Sequence, residues 1–251
     1  MLIEDYHRIK KRIQQCTLCR LSDTRKNVVP GTGCLNPEIM IVGQAPGREE
    51  NRAGEMFIGP SGKVLDKLFD ELGLKKENFY MTNMLKCFLP NSRKPRNDEI
   101  EACSIYLMEE VELADPDIII PLGYHVTKFI LKKYKFEIPC SDNFPKLFGS
   151  LLVANNRKIL PLRHPATVVH ESTRYETLLL NYRKINIVTK TCKWFNSCPV
   201  KTFYEQGKLT KYWIDRYCKG DWETCKRFQM EEKKQYHPDN MLPDGSFDYN
   251  L

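Results

Sequence analysis

The chain has 251 residues, 41% of them hydrophobic, which is room for one good core and an accessory module. No apolar run approaches the ~20 residues needed to span a bilayer, and MLIEDYHRIKKRIQQC lacks the apolar centre of a signal peptide, so a cytoplasmic protein with no membrane partner is expected. A net charge of +7 suits a polyanionic partner, and ten cysteines without a secretory signal favour metal ligation over disulfides.

Residues 2–15 read as an amphipathic helix, with Leu2, Ile3, Tyr6, Ile9 and Ile13 near one face. The thiol pair of CTLC follows. PEIMIVG (37–43) reads as a buried strand bounded by Pro37 and Gly43. A glycine-rich loop comes next, and Ser61 is the expected cap of a helix over 62–72 that ends at Gly73. NFYMTN is the next strand, and a helix from Asn97 or Asp98 runs to about Leu113, where Asp115-Pro116 breaks it. DIIIPLG (117–123) is a third buried strand, followed by a helix over 124–133. GSLLVANNRKILPLRHP suggests a hairpin turning at Asn155-Asn156, and STRYETLLLNYRKINIVTK a long helix to about Lys190.

This alternation predicts an α/β fold: a three-layer αβα sandwich with a central, mostly parallel sheet. Sites in such sheets form beyond the carboxyl ends of the strands. Gln44, Asn83 and His164 are therefore expected on one rim. After Lys190 the composition changes, with all three tryptophans and four cysteines in the last 61 residues. The expected division is 1–190 as the main domain and 191–251 as a small, metal-stapled module, since so short a segment buries little core. The module holds ten basic and nine acidic residues, so the basic excess lies in the main domain.

Eight cysteines form two quartets. Cys16-x2-Cys19 and Cys87-x15-Cys103 make the first, and four thiolates without histidine suit zinc or a 4Fe–4S cluster equally. Cys192-x5-Cys198 and Cys218-x6-Cys225 make the second, a possible metal site for which an Fe–S cluster and zinc are both open. Cys34 and Cys140 are left over and read as small buried hydrophobes.

The order CTLC, GQAPG, MFIGPSGKVLDKL, TNMLKC, Cys103 and HPA resembles the family-4, iron–sulfur class of the uracil-DNA glycosylase superfamily over about residues 1–190. The resemblance implies a structural 4Fe–4S cluster on Cys16, Cys19, Cys87 and Cys103. It implies that Asn83 reads the base edge, that Phe57 stacks under the base, and that His164 stabilises the departing uracil anion. Each role has a physical reason. A glycosylase must hold its base outside the stack. A side-chain amide offers a donor and an acceptor in one plane. Gly43, Ala45 and Gly47 let backbone approach the base and the sugar-phosphate closely. Arg163 and Arg174 are candidate phosphate contacts, and KKENFY, SRKPR and LKKYK are the densest basic patches.

Two departures stand out. The family carries an acid where this chain has Gln44, so catalysis falls to His164 and the pocket, or to Glu49, Glu50 or Glu55 nearby. The motif HPATVVH ends in His170 where the family commonly has arginine. The basic insertion of covalently DNA-trapping relatives is absent between Cys87 and Cys103, and no covalent trap is expected. The expected protein is a monomeric, monofunctional hydrolase of the N-glycosidic bond of uracil in DNA. The alternatives are a nucleic-acid-binding protein that lost the acid, or an Fe–S enzyme acting on another modified base or nucleotide with the tail cluster taking part.

Overall fold

Successive side chains of a strand point to opposite faces, so a strand with every residue buried must be covered on both sides. The computed structural model, which describes residues 2–154, 157–169 and 172–251, has three such strands: β2 (Ile39–Gly43), β3 (Phe79–Asn83) and β4 (Ile118–Pro121). β2 pairs in parallel with both β3 and β4, and β4 in parallel with β6 (Arg157–Ile159). Short antiparallel strands close the two edges: β1 (Thr32–Gly33) on β3 and β5 (Leu152–Ala154) on β6. The order among the described residues is β1-β3-β2-β4-β6-β5.

Ile39, Ile41, Ile118 and Ile120 pack with Leu65, Leu68 and Phe69 of α3 (Pro60–Leu72) and with Leu178, Tyr182 and Ile185 of α6 (Tyr175–Val188). Met40, Val42 and Ile119 face the other way, onto Leu107 and Val111 of α4 (Asn97–Ala114) and Val126 and Ile130 of α5 (Tyr124–Lys133). The result is the expected three-layer sandwich with a mostly parallel sheet. Outside it, α1 (Leu2–Gln14) lays Ile9 and Ile13 against Tyr106 of α4.

Two local readings change. Helix α3 starts at Pro60 with Gly59 as its cap, ahead of Ser61. Proline lacks only an N–H that the first helical position leaves unpaired, and its fixed φ already suits a helix. Inside the glycine-rich loop lies a helix the sequence did not announce, α2 (Arg48–Ala53), too short to show a period and closed by Gly54 at φ +80°. The expected hairpin is β5–β6. Its Asn155-Asn156 turn lies outside the described residues.

Residues 191–251 carry an apolar cluster of their own, with Val200, Leu209, Ile214 and Leu242. They dock on the β5 edge of the sheet and on the carboxyl half of α6. Trp222 Nε1 donates to Ile187 O at 3.2 Å, Lys184 pairs with Asp221 at 2.9 Å, and the Lys158 ammonium donates to Lys219 O. No helix among the described residues is long and apolar enough to cross a membrane.

Candidate active site and cysteine centres

Gly43 and Asn83 are register partners at the ends of β2 and β3. The pairing continues one step further, as Met84 N–H donates to Gly43 O at 2.8 Å and Leu85 N–H to Gln44 O at 2.9 Å. Beyond β6 the chain still follows β4: Leu162 bridges Leu122 in parallel, and Gly123 N–H donates to Leu162 O at 2.8 Å. This delivers His164 to the same rim. One cleft of about 1470 Å³, its open mouth included, is lined by Gln44, Ala45, Gly47, Phe57, Asn83 and His164. Gly43 lies beneath it: a Cβ there would stand 2.3 Å from Asn83 Oδ1 and 3.2 Å from Phe57 Cζ.

The remaining glycines make room for the same wall. Phe57 holds φ +52°, a left-handed conformation costly for an aromatic residue. Glu50 fixes the turn after it, its Oε1 accepting the N–H groups of Ile58 at 3.0 Å and Gly59 at 2.8 Å. A Cβ on Gly62 would fall 1.9 Å from Phe57 O, and one on Gly47 would fall 2.4 Å from Glu50 Oε2. Of the three nearby acids, Glu50 is buried in the cleft wall. Glu49 also lines the cleft and pairs with Arg52 at 3.1 Å, whereas Glu55 is exposed and does not line it.

The His164 ring is oriented by its own backbone. Ala166 N–H donates to Nδ1 at 3.1 Å, so the proton of a neutral imidazole sits on Nε2. Desolvation pushes its pKa down to about 4, with Glu50 pulling weakly the other way. His164 is thus a neutral donor at physiological pH. Asn83 is buried, and among the described residues its Nδ2 meets only the weak thioether acceptor of Met56, at 3.4 Å. An aromatic ring, a buried amide and a neutral N–H donor on one cleft suit a flat heterocycle carrying adjacent carbonyl and N–H groups.

The cleft also takes in residues the sequence did not single out: Phe88, Leu89 and Asn91, with Arg48 and Arg93 at its mouth. Of the three basic patches, SRKPR borders it through Ser92 and Arg93. KKENFY begins at the amino ends of β2 and β3, where Lys75 neighbours Glu38 and Ile39. LKKYK ends near Asp115 and Arg157, at the amino ends of β4 and β6. The Arg163 guanidinium lies 5.1 Å over the Phe148 ring. His170 lies outside the described residues.

Both cysteine quartets converge. Cys16, Cys19, Cys87 and Cys103 wall about 330 Å³ of space between α1, the exit of β3 and α4. Arg25 Nη1 donates to Cys87 Sγ at 3.2 Å and Lys86 N–H to Cys103 Sγ at 3.3 Å. The Lys86 side chain runs the other way. Its Nζ donates to Asn83 O at 2.8 Å, to Thr82 Oγ1 at 2.6 Å and to Glu110 at 2.5 Å, and the pair is fully buried. One residue thus joins the thiols to the strand end that carries Asn83. Cys192, Cys198, Cys218 and Cys225 wall about 520 Å³ in the tail. Among the described residues no three His, Cys, Asp or Glu side chains are placed as ligands of a single ion. The two remaining cysteines are not the buried hydrophobes expected of them: Cys34 is half-buried beside the edge strand β1 and Cys140 is exposed in a loop.

A family model described as the uracil DNA glycosylase superfamily matches residues 30–186. A type-4 uracil-DNA glycosylase of Saccharolobus solfataricus is 39% identical over 182 residues, which are 70% of this chain and 83% of that protein. One of Archaeoglobus fulgidus is 34% identical over 73% of this chain and 92% of its own length. A DNA polymerase of Bacillus phage SP01 is 34% identical over 59% of this chain and 16% of the polymerase.

Proposed function

The chain belongs to the uracil-DNA glycosylase superfamily, and on that premise we propose that it hydrolyses the N-glycosidic bond of uracil in DNA and leaves an abasic site. The observation that carries this reading is the single cleft shared by Phe57, Asn83 and His164, three residues from three separate elements.

Uracil extruded from the stack enters the cleft against the Phe57 ring, with its N3–H and a carbonyl on the Asn83 amide. Gly43, Ala45 and Gly47 bring the backbone close to the base and its sugar. As the bond to the sugar breaks, negative charge builds on the base. The Nε2–H of neutral His164 donates to that charge, and the ring need not first gain a proton to do so. Gln44 orients the attacking water through its amide but bears no charge. Glu50 supplies the carboxylate of the site, facing the positive charge that develops on the sugar. The support for Glu50 is its burial in the cleft wall.

The residues of the first quartet fit a 4Fe–4S cluster: an all-thiol donor set around one space, with N–H donors from Arg25 and Lys86 on two sulfurs. When bound, the cluster supplies four covalent ties. Cys16 and Cys19 pin the end of α1, Cys87 the exit of β3 and Cys103 the first half of α4. Residues 1–190 are the glycosylase unit and 191–251 an appended module in this reading.

The second reading, a protein that binds uracil-containing DNA without cutting it, is favoured by the uncharged Gln44. Single-turnover excision from a uracil-containing oligonucleotide separates the two. Wild-type protein is expected to release uracil, and Gln44→Glu to release it faster, by less than about tenfold, worth under ~1.4 kcal/mol of barrier. Tight oligonucleotide binding with no released uracil from wild-type protein would overturn the hydrolase.

A further inference from the structure

The second quartet lies outside the match to the superfamily, which ends at residue 186. Its thiols come from four separate places: Cys192 just after α6, Cys198 at the cap of the helix Pro199–Glu205, Cys218 at the end of the helical stretch 211–218, and Cys225 at the cap of Lys226–Glu232. The space they wall also receives Arg227 and His237. Arg227 is 2% exposed. Its Nη1 donates to the carbonyls of Pro238, Asp239 and Met241 at 2.9, 2.9 and 2.8 Å. Its Nε and Nη2 have no acceptor among the described residues. An unmet buried polar atom destabilises the fold, and more so on a charged group. Two such nitrogens on one guanidinium beside the thiols mark a place built to receive an anion.

We propose that Cys192, Cys198, Cys218 and Cys225 hold a second 4Fe–4S cluster, with Arg227 as its buried hydrogen-bonding neighbour. Four thiolates also suit zinc, but the space they wall, about 520 Å³, exceeds the 330 Å³ walled by the first quartet and is more than one ion needs. In a cubane each thiolate holds a different iron, so the sulfurs stand apart. Four thiolates on such a cluster carry net negative charge, which answers the idle N–H groups of Arg227. The centre is a staple. It ties four segments of a unit whose own apolar cluster is small, and it sits on the β5 side of the sheet, with β4 and β6 between that edge and the cleft at β2 and β3. This inference rests on the tail alone and not on the hydrolase reading.

The test is metal and sulfide analysis of the full-length chain, purified anaerobically and reconstituted with ferrous iron and sulfide. Wild type is expected to hold about eight irons and no zinc. Cys218→Ser/Cys225→Ser is expected to hold about four, and Cys16→Ser/Cys19→Ser about four of the other kind, with distinct electron paramagnetic resonance signals after reduction. One zinc beside four irons in wild type would overturn the proposal. So would a wild-type content of only four irons that the tail variant keeps in full. A wild-type content of four irons, all lost from the tail variant and all kept in the Cys16/Cys19 variant, would uphold it while removing the first cluster from the glycosylase reading. A wild-type count of about eight irons upholds the proposal even where a variant fails to fold.

Discussion

The two cysteine quartets are built from the same ligand type but embedded differently. The first gathers thiols from the start, the middle and the far helix of the main domain, and the basic groups beside it already have partners. Arg25 reaches Cys87 Sγ and Cys16 O, and Lys86 reaches Glu110, Thr82 and Asn83 O. The second gathers its thiols from one short stretch of sequence, and the basic group beside it, Arg227, has two nitrogens without an acceptor among the described residues. A centre wired into the strand that carries Asn83 must matter to the cleft. A centre that closes an appended unit must matter chiefly to that unit.

The sharpest way to break this contrast is to remove each quartet in turn. Cys87→Ser/Cys103→Ser is expected to abolish uracil excision and lower the melting temperature of the whole chain. Cys218→Ser/Cys225→Ser should leave the excision rate within about threefold, under ~1 kcal/mol of barrier. Equal losses in single-turnover assays would mean that the tail takes part in the chemistry.

Next in size is His164→Ala. Loss of one preorganised donor should lower the excision rate by about 10²–10³-fold with the melting temperature little changed. A tenfold loss or less would shift the catalytic burden to Glu50. The buried polar links of the two regions differ as well. Lys86→Met leaves Glu110 unpaired in the core and is expected to cost about 3–5 kcal/mol in denaturant unfolding. Lys184→Met, whose ammonium is partly exposed though its partner Asp221 is buried, should cost less, about 1–3 kcal/mol. Similar values would erase the distinction between a wired core and a docked module.

The smallest expected effect is on pH. The pKa of His164 falls to about 4 in the folded chain, against an ordinary histidine value near 6.5. Between those values the unfolded chain binds a proton that the folded one does not. His164 therefore costs stability progressively as pH falls from about 6.5 to about 4, and nothing above that window. Melting temperatures across the window should fall less steeply for His164→Gln than for wild type, while wild-type excision shows no histidine titration near pH 6.5. A rate limb at that pH would place a proton on the imidazole in the resting enzyme.

Much of the layer structure could be read locally. The helix over 124–133 and the three buried strands follow from their own apolar patterns, because a strand covered on both faces must be apolar throughout. The elements that escaped were the short ones: α2, whose six residues show no period, and the helical turns of the tail, which are held by docking more than by a long amphipathic face. Glu50 was legible only as one of three acids. Nothing in REENRAGE tells its carboxylate from that of Glu49 or Glu55 until the turn at Ile58 and Gly59 folds back on it.

What the sequence determined alone was therefore chemistry and local form: the thiol quartets, the strand ends, the glycine frame and the neutral Gln44 at its lip. What the tertiary structure decided was company. Side chains remote in sequence share the cleft because β2, β3 and β4 lie side by side in one register and Leu162 carries the chain on past β4 to His164. Adjacency of that kind comes from strand order and packing, which depend on the whole chain closing around its core, and no local stretch encodes it.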